Sequence, residues 1–150
     1  MTERLYTTRR LSIVNALVAA IKSIDGTGAF ESNLWNNVSP RLKFWDEVSQ
    51  FPSVHLNAGT EQRVYQGGGY KDRFLAVTVR VYVNEEDSVE ALDRVMEDIE
   101  TVVEQNSRLI YTDKQGNTQA THQISIVSLE SDEGVLDPYG VGEILLEVQY

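Results

Sequence analysis

Residues Phe74–Val83 read Phe-Leu-Ala-Val-Thr-Val-Arg-Val-Tyr-Val, and this stretch decides the fold. Leu75, Val77, Val79, Val81 and Val83 alternate with Ala76, Thr78, Arg80 and Tyr82. That period of two is the signature of a strand with one face on a core. Working outward, Asn84-Glu85-Glu86-Asp87 ends the strand and opens a helix. Asp87 is placed to cap it, with Glu90 three residues on completing a capping box. Val89, Leu92, Val95, Met96, Ile99, Val102 and Val103 form the expected buried stripe. Asn106 or Ser107 ends the helix.

On the N-terminal side, Gly67-Gly68-Gly69 reads as a hairpin tip preceded by two short strands, Val54–Ala58 and Arg63–Gln66. An earlier helix is marked by Leu11, Val14, Leu17, Val18, Ile21 and Ile24. Thr7 or Thr8 is its expected cap and Gly26 its expected end. Residues 27–53 are irregular and aromatic, with Phe30, Trp35, Phe44, Trp45 and Phe51 and a short helical turn over Pro40–Val48. These aromatics are expected to pin a long connection onto the core. The sharper alternative is a surface that binds a partner.

After the second helix, Tyr111–Thr121 reads as a loop, His122–Leu129 as a strand and Ser131–Gly140 as a loop. Gly142–Tyr150 closes the chain as a strand. Ile144, Leu146, Val148 and Tyr150 share one face, while Leu145 turns the other way among Glu143, Glu147 and Gln149. The order is helix, three strands, helix, two strands. This predicts an α+β fold, a mostly antiparallel sheet of about five strands packed by two amphipathic helices. Residues 1–150 read as a single domain, in keeping with a length of 150.

Composition narrows the function. The net charge is −10, and 41% hydrophobic with 24% charged residues is an ordinary globular balance. An open basic grip on nucleic acid is disfavoured, because phosphate binding needs clustered Lys and Arg. The absence of Cys excludes disulfides and thiolate metal sites. The N-terminus lacks a signal-peptide pattern, and no window approaches a membrane span, so an intracellular, membrane-free protein is expected. The charge is uneven. Residues 1–80 hold 10 basic and 7 acidic residues, net +3, and residues 81–150 hold 3 basic and 16 acidic residues, net −13. Two readings stand: a solvated acidic face, and a self-complementary contact between copies.

Chemical motifs are lacking. The triple glycine precedes Tyr70-Lys71-Asp72 and a strand, where a phosphate loop needs Lys-Ser/Thr and a helix. His55 and His122 stand outside any metal or triad spacing, and no G-x-S-x-G elbow occurs. No catalytic residue, cofactor site or metal site is therefore expected. The hairpin carries Arg63, Tyr65, Tyr70, Lys71 and Arg73, either an arm for a neighbouring subunit or a solvated tip. Glu90, Asp93, Glu97, Glu100 and Glu104 form an acidic stripe. Ion pairs Glu90–Arg94 and Glu104–Arg108 are expected to relieve its repulsion. The stripe reads as a solvent face, or as an intersubunit or lumen-lining face.

These features together resemble the phage tail terminator, or tail completion, proteins. The likeness rests on Phe51-Pro52-Ser53-Val54-His55-Leu56 with Gly59-Thr60-Glu61, on the long strand entering Asn84–Asp87 and the second helix, and on Pro138-Tyr139-Gly140-Val141-Gly142 before a final strand ending at Tyr150. The resemblance implies a structural virion protein without enzymatic activity. It would assemble in the host cytoplasm as a ring, expected to be hexameric, on the head-proximal end of the tail tube. Such a ring stops tube polymerisation and meets the head–tail connector or neck protein. Its implied partners are its own copies, the tail tube protein and the connector, with a sheath left open, and the genome DNA passes without specific binding. Another neck or tail-assembly role, a small cellular binding module and an enzyme with an unrecognised site are the alternatives.

Overall fold

The alternating stretch becomes the centre of a sheet in the computed structural model, which describes residues 8–150. In chain order come helix α1 (Arg10–Ile21), strands β1 (Val38–Ser39), β2 (Ser53–Tyr65) and β3 (Lys71–Asn84), and helix α2 (Ser88–Gln105). Strands β4 (Ile110–Thr112), β5 (Thr118–Ala120), β6 (Gln123–Ser131) and β7 (Tyr139–Gln149) follow. The main sheet has the order β1-β2-β3-β7-β6, and β4 pairs with β5 in a separate hairpin. All pairings are antiparallel except the short parallel contact of β1 with β2. The α+β class follows as the periodicity predicts.

Leu75, Val77, Val79, Val81 and Val83 of β3 are buried, as are Ile144, Leu146, Val148 and Tyr150 beside them. Both helices cover this face. From α2 come Leu92, Val95, Met96, Ile99, Val102 and Val103, and from α1 come Ile13, Val14, Leu17, Val18 and Ile21. Two glycines let α2 approach. A Cβ on Gly140 would lie 3.2 Å from the Ser88 carbonyl oxygen, and one on Gly142 would lie 2.7 Å from Met96 Sδ.

Several local expectations are corrected. Val89 is exposed, because Ser88 takes the inward position of the first turn and donates to the Asp137 carboxylate at 2.7 Å. Asp87 does cap α2, accepting from the Glu90 N–H at 3.2 Å, and Glu90 itself engages Arg94 at 2.9 Å. The Glu104–Arg108 pair is not formed among the described residues, since α2 ends at Gln105 and Arg108 leaves the helical surface. In α1, Leu11 is exposed and Ile13 takes the inward place. The cap expected of Thr7 lies outside the described residues. The hydroxyl of Thr8 pairs with that of Tyr150 at 3.3 Å, and the cap residue is Arg9, without a side-chain bond. The helix stops at Ile21, before Gly26, which sits in the following loop with a φ of 80°.

The two strands expected over 54–66 are one strand, β2, with a bulge at Gly59-Thr60. The extra residue shifts the alternation, so Glu61 pairs with Leu75 and Arg63 with Arg73 at the far end of the core face. The expected loop 111–121 also contains a hairpin. Its turn is held by Asp113 Oδ1, which accepts from the N–H groups of Gln115 (3.0 Å) and Asn117 (2.9 Å).

Polar bonds, more than aromatic rings, hold the 27–53 connection. Asp98 on α2 is buried and accepts from the N–H groups of Glu31 (3.1 Å) and Ser32 (2.7 Å). Asn37 Nδ2 donates to the carbonyls of Gln50 (2.9 Å) and Pro52 (3.0 Å). His55 Nδ1 pairs with the Arg41 carbonyl at 3.1 Å, and the Tyr82 hydroxyl donates to the Lys43 carbonyl. The segment around 41–43 thereby covers the outer face of the sheet at that end and buries Tyr82. Within the expected Pro40–Val48 turn, a 3-10 turn spans Trp45–Glu47. Phe30 packs partly on the core, and Phe51 meets Tyr139 at 5.8 Å between ring centroids. Trp35 and Phe44 do not pin the connection, being 75% and 68% exposed. The side chain of Trp45 lies outside the described residues.

Candidate functional site

The β2–β3 hairpin extends past the helices. Beyond Glu61 every residue through Tyr70 is exposed. Gly68 and Gly69 adopt φ of 79° and 84°, the left-handed region that glycine enters without a Cβ penalty, so the tip turns tightly. Tyr65 and Tyr70 stand 71% and 75% exposed, and the Lys71 ammonium lies 5.7 Å from the Tyr65 ring centroid.

Arg63 and Arg73 are placed differently, at the base of the hairpin. Arg63 Nε donates to Glu61 Oε2 at 2.6 Å. Arg73 is buried, with its guanidinium 5.3 Å from the Tyr150 ring, and Arg9 stands at the same distance from that ring. The Tyr150 hydroxyl donates to Glu61. Burial alone would raise the Glu61 carboxyl, but bonds from Tyr150 and Arg63 and the nearby charge of Arg63 and Arg10 hold it below its ordinary value. Tyr150 moves the opposite way, raised by burial and by donation to Glu61. Of the five hairpin residues singled out in the sequence, Tyr65, Tyr70 and Lys71 thus form the tip, and Arg63 and Arg73 hold its root.

The opposite end of the sheet has another character. A groove of about 440 Å³ is lined by Phe44, Tyr82, Leu136 and Val141 and by the charged side chains of Arg80, Glu130, Asp132 and Glu143. Glu143 is paired with Arg80 at 3.1 Å. Tyr82, Leu136 and Val141 also line an adjoining apolar pocket of about 110 Å³ closed by Phe51 and Tyr139. The loop 131–140 builds one wall, and Asp132 Oδ2 accepts from the Leu136 N–H at 3.2 Å. This groove escapes sequence reading, because Phe44 and Leu136 come from distant connections. The signals available were the exposed-aromatic stretch and the apolar pair Val135-Leu136 set among acids.

On α2, Glu90, Asp93, Glu97 and Glu104 are exposed and Glu100 is half-buried. They face away from the sheet and are not brought together with the hairpin. His55 is buried between Ser53 and Arg41 and its pKa is lowered, first by burial and then by Lys43 and Arg80. His122 is exposed. Among the described residues no group of three or more His, Asp or Glu side chains could hold a metal ion. No described helix is long and apolar enough to cross a membrane.

A five-stranded, mostly antiparallel sheet covered by two helices on one face, with a projecting hairpin and a groove at its other end, defines a small α+β fold. A family model described as Bacteriophage Tail Tube Terminator Protein matches residues 7–150, and the chain belongs to that family of structural phage tail proteins. It is 37% identical to the tail tube terminator protein p142 of Escherichia phage T5 over 150 residues, covering 94% of this chain and 92% of that one. Its fold is similar to a chain in the virion of a native gene transfer agent particle, with a TM-score of 0.57 at 9% identity, covering 92% of this chain and 96% of that one.

Proposed function

We propose that the protein forms a homo-oligomeric ring of six copies that caps the head-proximal end of the tail tube. The ring halts tube polymerisation and presents a surface to the head–tail connector while the genome passes through its lumen. The observation that carries this reading is the open sheet. Past His55 the outer edge of β2 has no neighbouring strand, and neither has the outer edge of β6 among the described residues. Such edges offer unpaired N–H and C=O groups to another chain. The two edges are unlike, so contact between them is head-to-tail, and a head-to-tail contact closes a ring when its rotation divides a full turn. The acidic balance of residues 81–150 favours passage of DNA without adhesion.

Solution mass and imaging test this. Light scattering with and without purified tail tubes should show a ring-sized species, and negative-stain images should place it at one tube end. A protein that stays monomeric beside tubes and leaves their length unchanged would overturn the reading.

A further inference from the structure

We propose that the tip of the β2–β3 hairpin of one copy seats in the groove lined by apolar and acidic side chains at the other end of the sheet of the next copy. The inference rests on the ring reading and names its contact. The two surfaces match in chemistry. The tip offers two exposed tyrosines and Lys71. The groove is lined by Phe44, Tyr82, Leu136 and Val141 together with Glu130 and Asp132, while its one cation, Arg80, is already paired with Glu143. A tyrosine suits such a site because its ring is apolar and its hydroxyl seeks an acceptor. Glu130 has no cationic partner among the described residues, while Lys71 has no ion-pair partner among them either. Each would gain one across the contact.

The placement also fits a head-to-tail arrangement. Lys71 and Tyr82 lie eleven residues apart along β3, about 36 Å at ~3.3 Å per residue. A chain therefore cannot fill its own groove.

The chain has no cysteine, so introduced thiols report a single contact. Two double variants, Tyr70→Cys with Leu136→Cys and Tyr65→Cys with Leu136→Cys, are assembled on tail tubes and treated with a mild oxidant or a short bis-maleimide. The span within one chain far exceeds the 7 Å Cα limit for a disulfide. Seated tips give a ladder of covalent dimers up to the full ring, absent from the single variants. Intact rings with no ladder from either pair overturn the contact and leave the ring standing. Absence of any oligomer, with or without tubes, overturns both. As a second readout, Lys71→Glu should shift rings to smaller species at equal concentration, and adding Glu130→Lys should restore them. Rings indifferent to Lys71→Glu also overturn the contact.

Discussion

The Asp98 carboxylate, buried on α2, accepts the Ser32 backbone N–H at 2.7 Å and so ties the long connection to the helix behind the sheet. The same carboxylate takes the Glu31 N–H and the Ser32 hydroxyl. A buried N–H stripped of its acceptor costs about 1–3 kcal/mol. Asp98→Ala strips two part-buried N–H groups at once and is expected to lower stability by about 1–2 kcal/mol. Asp98→Asn keeps one acceptor oxygen and should cost about half as much. Urea denaturation measures both. Equal stability of wild type and Asp98→Ala would show that solvent replaces the carboxylate.

Gly140 and Gly142 should respond differently to an added methyl. At Gly140 a Cβ meets Val83 Cγ2 at 2.7 Å and the Ser88 carbonyl oxygen at 3.2 Å, and the latter belongs to the first turn of α2. Backbone cannot step aside without moving the helix, so Gly140→Ala is expected to cost about 2–3 kcal/mol. At Gly142 the nearest atoms are Met96 Sδ at 2.7 Å and Leu92 Cδ1 at 3.0 Å. Methionine repacks readily, and Gly142→Ala should cost about 1 kcal/mol. Thermal unfolding of the two variants orders them, and the reverse order would contradict the packing argument.

What the sequence discloses depends on how local the determining contacts are. The β3 alternation and the α2 stripe are each written in consecutive turns of one element, and both can be read directly. The length of β2 cannot, because Gly59-Thr60 breaks the alternation and moves Glu61 and Arg63, which the spacing of Val54 and Leu56 assigns to the outer face, into register with Leu75 and Arg73 on the core face. The β4–β5 hairpin is hidden by strands only three residues long. Trp35 and Phe44 mislead in the other direction, since a large aromatic is more often buried than left at the surface. For the candidate site, Tyr65, Tyr70 and Lys71 are legible because a glycine turn marks a tip. The groove is not, since Phe44, Tyr82 and Leu136 meet only after the chain has folded.

His55 gives the protein a pH response in a defined window. Its pKa is lowered by burial, with Lys43 and Arg80 adding to the effect and the Arg41 carbonyl opposing it. Above the ordinary histidine value of about 6.5 neither folded nor unfolded chain is protonated there, and His55 contributes no pH dependence. As pH falls below about 6.5 the unfolded chain takes up the proton while the folded chain resists, so stability declines until the lowered folded value is reached. His55→Gln removes this slope. Stability measured from pH 7 down to 5 should converge between variant and wild type as the pH falls, with exposed His122 common to both. Parallel curves would show that His55 takes up its proton alike in the folded and the unfolded chain.

The hairpin tip separates folding from assembly. Tyr65 and Tyr70 stand clear of the core, so Tyr65→Ser and Tyr70→Ser should each change stability by no more than about 0.5 kcal/mol. Deleting Gly67–Gly69 removes the tight turn without touching the paired core strands and is expected to leave the melting temperature within a few degrees of wild type. If the tip carries contact between copies, the double serine variant and the deletion should both lose ring-sized species and fail to limit tube length, although each remains folded. Arg63 behaves differently, because its guanidinium is bound to Glu61 at the root. Arg63→Ala should mainly loosen that root, by about 0–1 kcal/mol for a partly exposed pair. Tube-length distributions set beside melting curves distinguish the two effects. Normal tube capping by the glycine deletion would remove the hairpin from the assembly surface and leave the open strand edges to carry the ring.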